Sequence, residues 1–128
     1  MAKVLLIEDD EDFREFFAAG LRQNHHEVTV ASSGRFVTSE MGKIDFGTTF
    51  DVIVTDILMP DVDGLEVIRL LKATYPACKI IAMSGGGRIS DSNIYLHLAE
   101  AFGVEDTLAK PIGIPELCDA VNRRMKTA

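Results

Sequence analysis

Carboxylates are concentrated near the N-terminus, where residues 8–12 form an acidic run directly after an apolar stretch. Asp56 follows a second apolar stretch, and Lys110 follows another one much later in the chain. Carboxylates that lie a few ångströms apart repel one another, and their pKa values rise unless a cation neutralises them. Oxygen ligands with room for water suit Mg²⁺, which binds through one or two carboxylates plus a phosphoryl group. The pattern indicates a magnesium site if the fold joins these residues, and a solvated helix start if it does not.

A carboxylate beside a divalent ion can act as a nucleophile toward phosphorus, and aspartyl phosphate is a known product of such an attack. Phosphoryl transfer depends mainly on positioning and on positive charge around the equatorial oxygens. Asp56 follows the middle run of the set, so we expect it to be the acceptor. Glu8 and Asp9 would then hold the metal, Lys110 would add positive charge, and Ser84 would donate a hydrogen bond.

Five short apolar runs are the expected strands that position these residues. Each run is followed by a segment with helical periodicity. The runs cover residues 4–7, 28–31, 52–54, 80–83 and 107–109. Alternating strands and helices of this length predict an α/β fold, a doubly wound five-stranded parallel sheet with helices on both faces. Function in such a sheet is expected at the carboxyl ends of the strands. We expect residues 1–128 to form one domain, with no output module after the last helix.

Four helical segments carry apolar stripes that we expect to face the core. The stripes are Phe13, Phe16, Phe17 and Leu21; Leu65, Ile68 and Leu71; Ile94, Leu98, Ala101 and Phe102; and Ile114, Leu117, Cys118, Val121 and Met125. Residues 34–50 give the weakest pattern, a helix followed by a loose loop. His25 and His26 are adjacent, which favours a solvated turn over a metal-ligand pair.

Composition excludes several classes of function. The formal net charge of −7 argues against binding a nucleic-acid backbone, which requires clustered Lys and Arg. Cys78 and Cys118 are too few and too far apart for a disulfide framework or a zinc site, and we expect buried or half-buried thiols. No apolar run approaches the roughly 20 residues that cross a bilayer, and no secretory signal is visible. We therefore expect a cytoplasmic protein that binds neither nucleic acid nor membranes.

Four motifs, in order along the chain, resemble the marks of bacterial two-component response-regulator receiver domains. They are Val4-Leu5-Leu6-Ile7-Glu8-Asp9-Asp10, the stretch from Asp56 to Leu65, Met83-Ser84-Gly85 and Leu108-Ala109-Lys110-Pro111-Ile112. The resemblance covers essentially the whole chain and is specific because all four occur together. It implies a flavodoxin-like receiver fold with strand order 2-1-3-4-5, an order for which a member of this family serves as a standard example.

The resemblance implies a stand-alone response regulator that accepts a phosphoryl group on Asp56 from a sensor histidine kinase or a histidine phosphotransfer protein. Mg²⁺ would be held by Glu8, Asp9, Asp56 and the backbone carbonyl of Leu58, while Ser84 and Lys110 would contact the phosphoryl group. The Lys110–Pro111 peptide bond would be cis. Such a protein is a phosphoacceptor and not a classical enzyme, and its output would be a changed contact with another protein.

The chain departs from the family pattern at Thr107, where the family usually has an aromatic residue three positions before the lysine. This departure puts the usual output surface around the fifth strand in doubt. Leu58, two after the acceptor, and Gly86, two after Ser84, carry no polar group to orient an attacking water. They predict slow loss of the phosphoryl group.

Two other functions remain as alternatives on related folds. A small phosphohydrolase with an aspartyl nucleophile normally needs a second carboxylate two residues after the nucleophile, where this chain has Leu58. A flavin-binding electron carrier needs a hydroxyl-rich phosphate loop after the first strand, where this chain has carboxylates that would repel a phosphate.

Overall fold

Five strands alternate with six helices in the part of the chain that the structure, a computed structural model, describes. That part comprises residues 2–59, 62–84 and 89–125, with the backbone alone described for residues 89–93. The strands are β1 (Lys3–Ile7), β2 (Glu27–Ala31), β3 (Val52–Asp56), β4 (Lys79–Ser84) and β5 (Asp106–Ala109). The helices are α1 (Glu11–Gln23), α2 (Arg35–Glu40), α3 (Phe46–Thr49), α4 (Gly64–Thr74), α5 (Ile89–Ala101) and α6 (Ile114–Met125).

The strands form one parallel sheet in the order β2-β1-β3-β4-β5, which confirms the predicted fold class and strand order. The central strand β3 is buried along its whole length, as expected when helices cover both faces of a parallel sheet. Parallel strands point the same way, so the carboxyl ends of β1, β3, β4 and β5 lie at one edge of the sheet.

Alternate residues of the strands face opposite sides and divide the core into two layers. Val4 and Leu6 of β1 pack in the layer that contains Phe17, Leu21 and Val121, from the α1 and α6 side. Leu5 and Ile7 pack in the other layer, whose helical residues come from α2 to α5 and include Val37, Phe46, Ile68, Leu71 and Ala99. The sheet is therefore held from both sides, and its carboxyl edge is a rigid support for side chains that follow the strands.

Two of the four predicted helical stripes were partly wrong about which residues are buried, whereas the stripes of α4 and α6 are confirmed by the burial of Ile68, Leu71, Leu117, Cys118 and Val121. Phe17 and Leu21 of α1 are buried, but Phe13 and Phe16 are 43% and 53% exposed. In α5, Ile94, Leu98 and Ala101 are exposed, and among the side chains of this helix that the structure describes, residues 94–101, the buried one is Ala99. The region from 34 to 50 contains a second short helix, α3, where a loose loop was predicted, and Asp45 caps it by accepting from the Gly47 N–H.

His26 is buried, which corrects the prediction of a solvated turn, while its neighbour His25 is exposed with φ of 68°. The His26 Nδ1 accepts a hydrogen bond from the Ala2 N–H at 3.0 Å, and burial lowers the pKa of this imidazole. Cys78 and Cys118 are buried thiols, as expected, and burial raises the pKa of Cys78 to about 11. Among the described residues, no helix has the length and apolar character needed to cross a membrane.

Candidate functional site

The acidic residues that follow β1 are brought beside the end of β3. Glu8 is fully buried and Asp56 is 4% exposed, whereas Asp9 is exposed. One oxygen from each of these three carboxylates lies within 4.8 Å of the others, so together they could hold a metal ion. This arrangement is the convergence that the sequence predicted.

Lys110 supplies positive charge to the same site. Its Nζ donates to Glu8 Oε1 at 2.6 Å and to Asp56 Oδ2 at 3.1 Å, and its side chain is only 9% exposed. The Lys110 N–H donates to the Ser84 carbonyl at 2.7 Å, which ties the end of β4 to the lysine. The Lys110–Pro111 peptide bond is cis, as expected from the resemblance.

The remaining carboxylate oxygens are engaged by backbone amides. Asp56 Oδ1 accepts from the Leu58 N–H at 3.2 Å, and Glu8 Oε2 accepts from the Asp10 N–H at 3.2 Å. Each buried carboxylate thus has one oxygen on the lysine and one on an amide, so both side chains have a fixed orientation. Hydrogen bonding of this kind is what makes a buried charge tolerable.

The pKa shifts reflect the crowding of negative charge. Burial raises the pKa of Glu8, with the neighbouring Asp56 adding to the rise and the hydrogen bond from Lys110 opposing it. Burial likewise raises the pKa of Asp9, and the nearby Glu8 adds to the effect. Burial tends to lower the pKa of Lys110, but the contacts with Glu8 and Asp56 outweigh it, and the pKa of the lysine is raised. The lysine therefore stays charged, and the carboxylates favour a further cation.

A cleft of about 400 Å³ opens above these groups. Its walls are formed by Glu8, Asp9, Asp10, Phe13, Asp56, Leu58, Lys110 and Pro111. The donors that face it are hard carboxylate oxygens, the ligand type that Mg²⁺ prefers over nitrogen or sulfur. The residues present therefore fit a magnesium ion with room for water and for a phosphoryl group.

Two other predicted site residues, Ser84 and Leu58, lie next to the group of three carboxylates and are not part of it. Ser84 is fully buried at the end of β4, and the structure links it to Lys110 through its backbone carbonyl. Leu58 is half-buried and lines the cleft, two residues after Asp56. Gly86, the other residue used to predict slow loss of the phosphoryl group, lies outside the described residues.

Local sequence explains how α1 starts beside the site. Asp10 caps the helix by accepting from the Phe13 N–H at 3.0 Å, a role that Asp fills well. Asp63 caps α4 in the same way by accepting from the Leu65 and Glu66 amides. These caps fix the first turns of α1 and α4, the helices that follow β1 and β3 in the chain.

Two residues in the first turn of α1 were not recognised as part of the site from the sequence. Arg14 donates from Nη1 to the Glu8 carbonyl at 3.0 Å and to the Asp9 carbonyl at 3.4 Å. Phe13, interpreted as core, lies with its ring 5.0 Å from the Lys110 Nζ. The acidic run could have predicted both contacts. Because α1 begins inside this run, directly after β1, its first turn must lie over the cleft.

Comparison with known proteins points to one family. The family model described as Response regulator receiver domain matches residues 4–122. A probable transcriptional regulatory protein of Picosynechococcus sp. is 28% identical over 131 residues, which cover 98% of this chain and 51% of that protein. The chain spans about half, or less, of the length of the curated relatives that it matches.

Solved structures agree with the match. The receiver domain of the Francisella response regulator 1452 is 27% identical and superposes with a TM-score of 0.81, covering 98% of each chain. A response regulator receiver domain protein from Clostridium thermocellum is also 27% identical, with a TM-score of 0.80 over 98% of this chain and 94% of that one.

Proposed function

The chain belongs to the response regulator receiver domain family, a module of two-component signalling, and from this premise we propose that Asp56 is its phosphoryl acceptor. The observation that carries the proposal is the arrangement around Asp56, with the Lys110 ammonium on one oxygen and two further carboxylates within 4.8 Å. The phosphoryl donor is a sensor histidine kinase or a histidine phosphotransfer protein, and the chemistry takes place in the cytoplasm.

Glu8, Asp9, Asp56 and the Leu58 carbonyl hold Mg²⁺ in this proposal, and the ion supplies positive charge to the phosphoryl oxygens. The protein's own groups do the rest. The Asp56 carboxylate, which lines the cleft, is held in a fixed orientation by the Leu58 amide on one oxygen and by Lys110 on the other. Lys110 stays charged and close enough to contact a phosphoryl oxygen on Asp56.

The output is a switched contact with another protein. A phosphoryl group adds about −1.5 to −2 charge beside Glu8 and Asp9, and its oxygens attract Lys110 and the Ser84 hydroxyl. Lys110 and Ser84 belong to neighbouring strand ends that are joined by a backbone hydrogen bond, so a shift of one is passed to the other. Thr107, half-buried in β5, occupies the place of the usual aromatic residue, and the partner must read a surface that differs from the family pattern.

The alternative enzymatic functions receive no support from the cleft. The Leu58 side chain stands where a phosphohydrolase needs its second carboxylate, and Asp9 and Asp10 line the wall where a flavin phosphate would bind. The protein is proposed to catalyse only its own phosphorylation and dephosphorylation.

Incubation with a small-molecule phosphodonor and Mg²⁺, followed by intact mass spectrometry, tests the proposal. The wild-type chain is expected to gain one phosphoryl group, which is lost in D56N and in wild-type protein treated with a chelator. The matched control is D51N. Asp51 follows α3 and accepts a hydrogen bond from the Lys3 amide at the opposite edge of the sheet. Phosphorylation of D56N to the wild-type extent would refute the assignment.

The lifetime of the phosphorylated form is a second expected result. Leu58 gives the cleft an apolar wall, so L58N should accelerate phosphoryl loss on the order of tenfold by orienting a water, less than a full general base supplies. L58M keeps the apolar wall and should leave the rate unchanged. The measurement is the decay of the phosphorylated mass after removal of the donor. Complete loss within seconds from the wild-type chain would contradict the expected slow decay.

A further inference from the structure

The Lys110 ammonium has contacts from three separate elements. Two of its three N–H donors reach carboxylates, Glu8 after β1 and Asp56 at the end of β3. The third contact is the face of the Phe13 ring in the first turn of α1, with Nζ 5.0 Å from the ring centroid. A lysine ammonium within about 6 Å of an aromatic centroid is attracted by the ring's quadrupole.

The hydrophobic effect does not explain the position of Phe13. Its side chain is 43% exposed at the cleft wall, where a polar residue would leave less apolar surface in water. The ring is nevertheless held in place, because it stacks on the buried Phe17 with centroids 5.8 Å apart and planes at 17°. Its backbone is fixed as well, since the Phe13 N–H donates to the Asp10 cap.

Lys110 has competing partners that the ring helps it to avoid. Asp9 and Asp10 line the same cleft, and a flexible lysine chain could place its charge beside either of them. An ammonium that moved there would leave Asp56 without its counter-charge and would occupy the side from which a metal and a phosphoryl group enter. The ring contact favours the position between Glu8 and Asp56.

We infer that Phe13 is a positioning residue, whose ring face holds the Lys110 ammonium between Glu8 and Asp56. This inference rests on the proposed phosphorylation of Asp56, for which Phe13 supplies no reacting atom. Its contribution is to keep the charged group in place before the phosphoryl group arrives.

Phosphorylation rates test the inference at saturating Mg²⁺ with a small-molecule phosphodonor, so that no partner protein contacts α1. F13L is expected to slow phosphorylation about three- to tenfold, the range that a partly desolvated cation–π contact supports. F13Y and F13W keep an electron-rich ring and should retain the wild-type rate. F16L is the control, because Phe16 is exposed on the same helix and contacts the same Phe17 ring at 5.7 Å.

A fluorinated ring separates electrostatics from packing. Trifluorophenylalanine at position 13 keeps the shape but weakens the negative ring face, and it should slow the reaction as F13L does. Wild-type rates in both the F13L and trifluorophenylalanine proteins would overturn the inference, and so would slowing in F13L alone, because the ring face would then not matter.

A second measurement does not depend on phosphorylation. In the NMR spectrum, the Lys110 methylene protons next to Nζ should be shifted upfield by the Phe13 ring current in wild type and in F16L, and not in F13L. Lys110 methylene signals that are not shifted upfield in the wild-type protein would overturn the inference. A wild-type chain that shows this shift but gains no phosphoryl group would instead refute the proposed function and leave the contact established.

Discussion

K110M is expected to lower the free energy of unfolding at neutral pH by about 3 kcal/mol in magnesium-free buffer. The reason is that Glu8 and Asp56 are almost completely buried, and both carboxylates take a hydrogen bond from this ammonium. Removing one partner of a buried ion pair leaves the other charge without compensation, and this loss exceeds the value of the pair itself. Urea-induced unfolding, followed by circular dichroism, measures the effect.

The pH dependence of this loss has a definite sign. Burial already raises the pKa of Glu8 in the folded protein, and loss of Lys110 removes the hydrogen bond that opposes the rise. In the unfolded chain the group titrates near its ordinary value of about 4.3. At pH values between that value and the raised pKa of Glu8, the folded variant binds more protons than the unfolded chain. The stability of the variant therefore falls as pH rises through this range. The deficit relative to wild type should therefore be large at neutral pH and small near pH ~4.

The control for net charge is R69M, which removes a cation from a solvent-exposed ion pair with Glu66. Exposed pairs contribute little, so R69M should unfold almost as wild type does. Addition of Mg²⁺ should return part of the stability of K110M, because the ion replaces the lost positive charge beside Glu8 and Asp56. Equal stability of K110M and R69M at neutral pH would show that Lys110 does not neutralise the buried carboxylates.

The sequence was sufficient to predict the groups that meet at the sheet edge. Apolar runs that are covered on both faces, such as residues 52–54, identify parallel strands, and the polar residues at the carboxyl ends of these strands then fall on a common edge. Asp56 and Lys110 are 54 positions apart in sequence, yet the strand order brings the ends of β3 and β5 to one edge of the sheet, where the two side chains meet at 3.1 Å. The site could be predicted because topology, and not fine packing, determines it.

The burial of individual helical residues was less predictable. The apolar period predicted that α1 is a helix, but it could not show which turns of the helix lie over the sheet. Phe17 and Leu21 lie over the sheet and are buried, whereas Phe13, at the cleft wall, and Phe16 stay exposed. The same limitation applies to Ile94 and Leu98 of α5, since an apolar period does not reveal which of several apolar sides the sheet covers.

Non-local hydrogen bonds were also beyond sequence interpretation. The adjacent histidines are typical of a turn, and His25 is indeed exposed there with a positive φ. His26 is buried because its Nδ1 accepts from an amide 24 residues earlier in the chain, beside the start of β1. No local pattern encodes that contact, because it exists only once β1 and β2 have paired.

G64A is expected to lower the free energy of unfolding by about 3 kcal/mol, the upper part of the usual cost of overpacking. A Cβ at this position would lie 2.2 Å from the Ile57 carbonyl oxygen, and the obstacle is backbone that cannot change rotamer. The first turn of α4 or the segment after Asp56 must therefore move. Thermal or urea-induced unfolding measures the cost.

The same substitution should also affect the site, because Ile57 and Leu58 connect the clash to the acceptor. The Ile57 N–H donates to the Met83 carbonyl, and the Leu58 N–H donates to Asp56 Oδ1. A displaced Ile57 carbonyl disturbs both bonds, so phosphorylation of Asp56 should slow in whatever fraction of G64A remains folded. G113A is the control, since a Cβ there comes no closer than 3.7 Å to Pro115 Cδ, and both stability and phosphorylation should be preserved. Equal free energies of unfolding and equal phosphorylation rates in G64A and G113A would show that the close approach of Gly64 to the Ile57 carbonyl does not constrain Asp56.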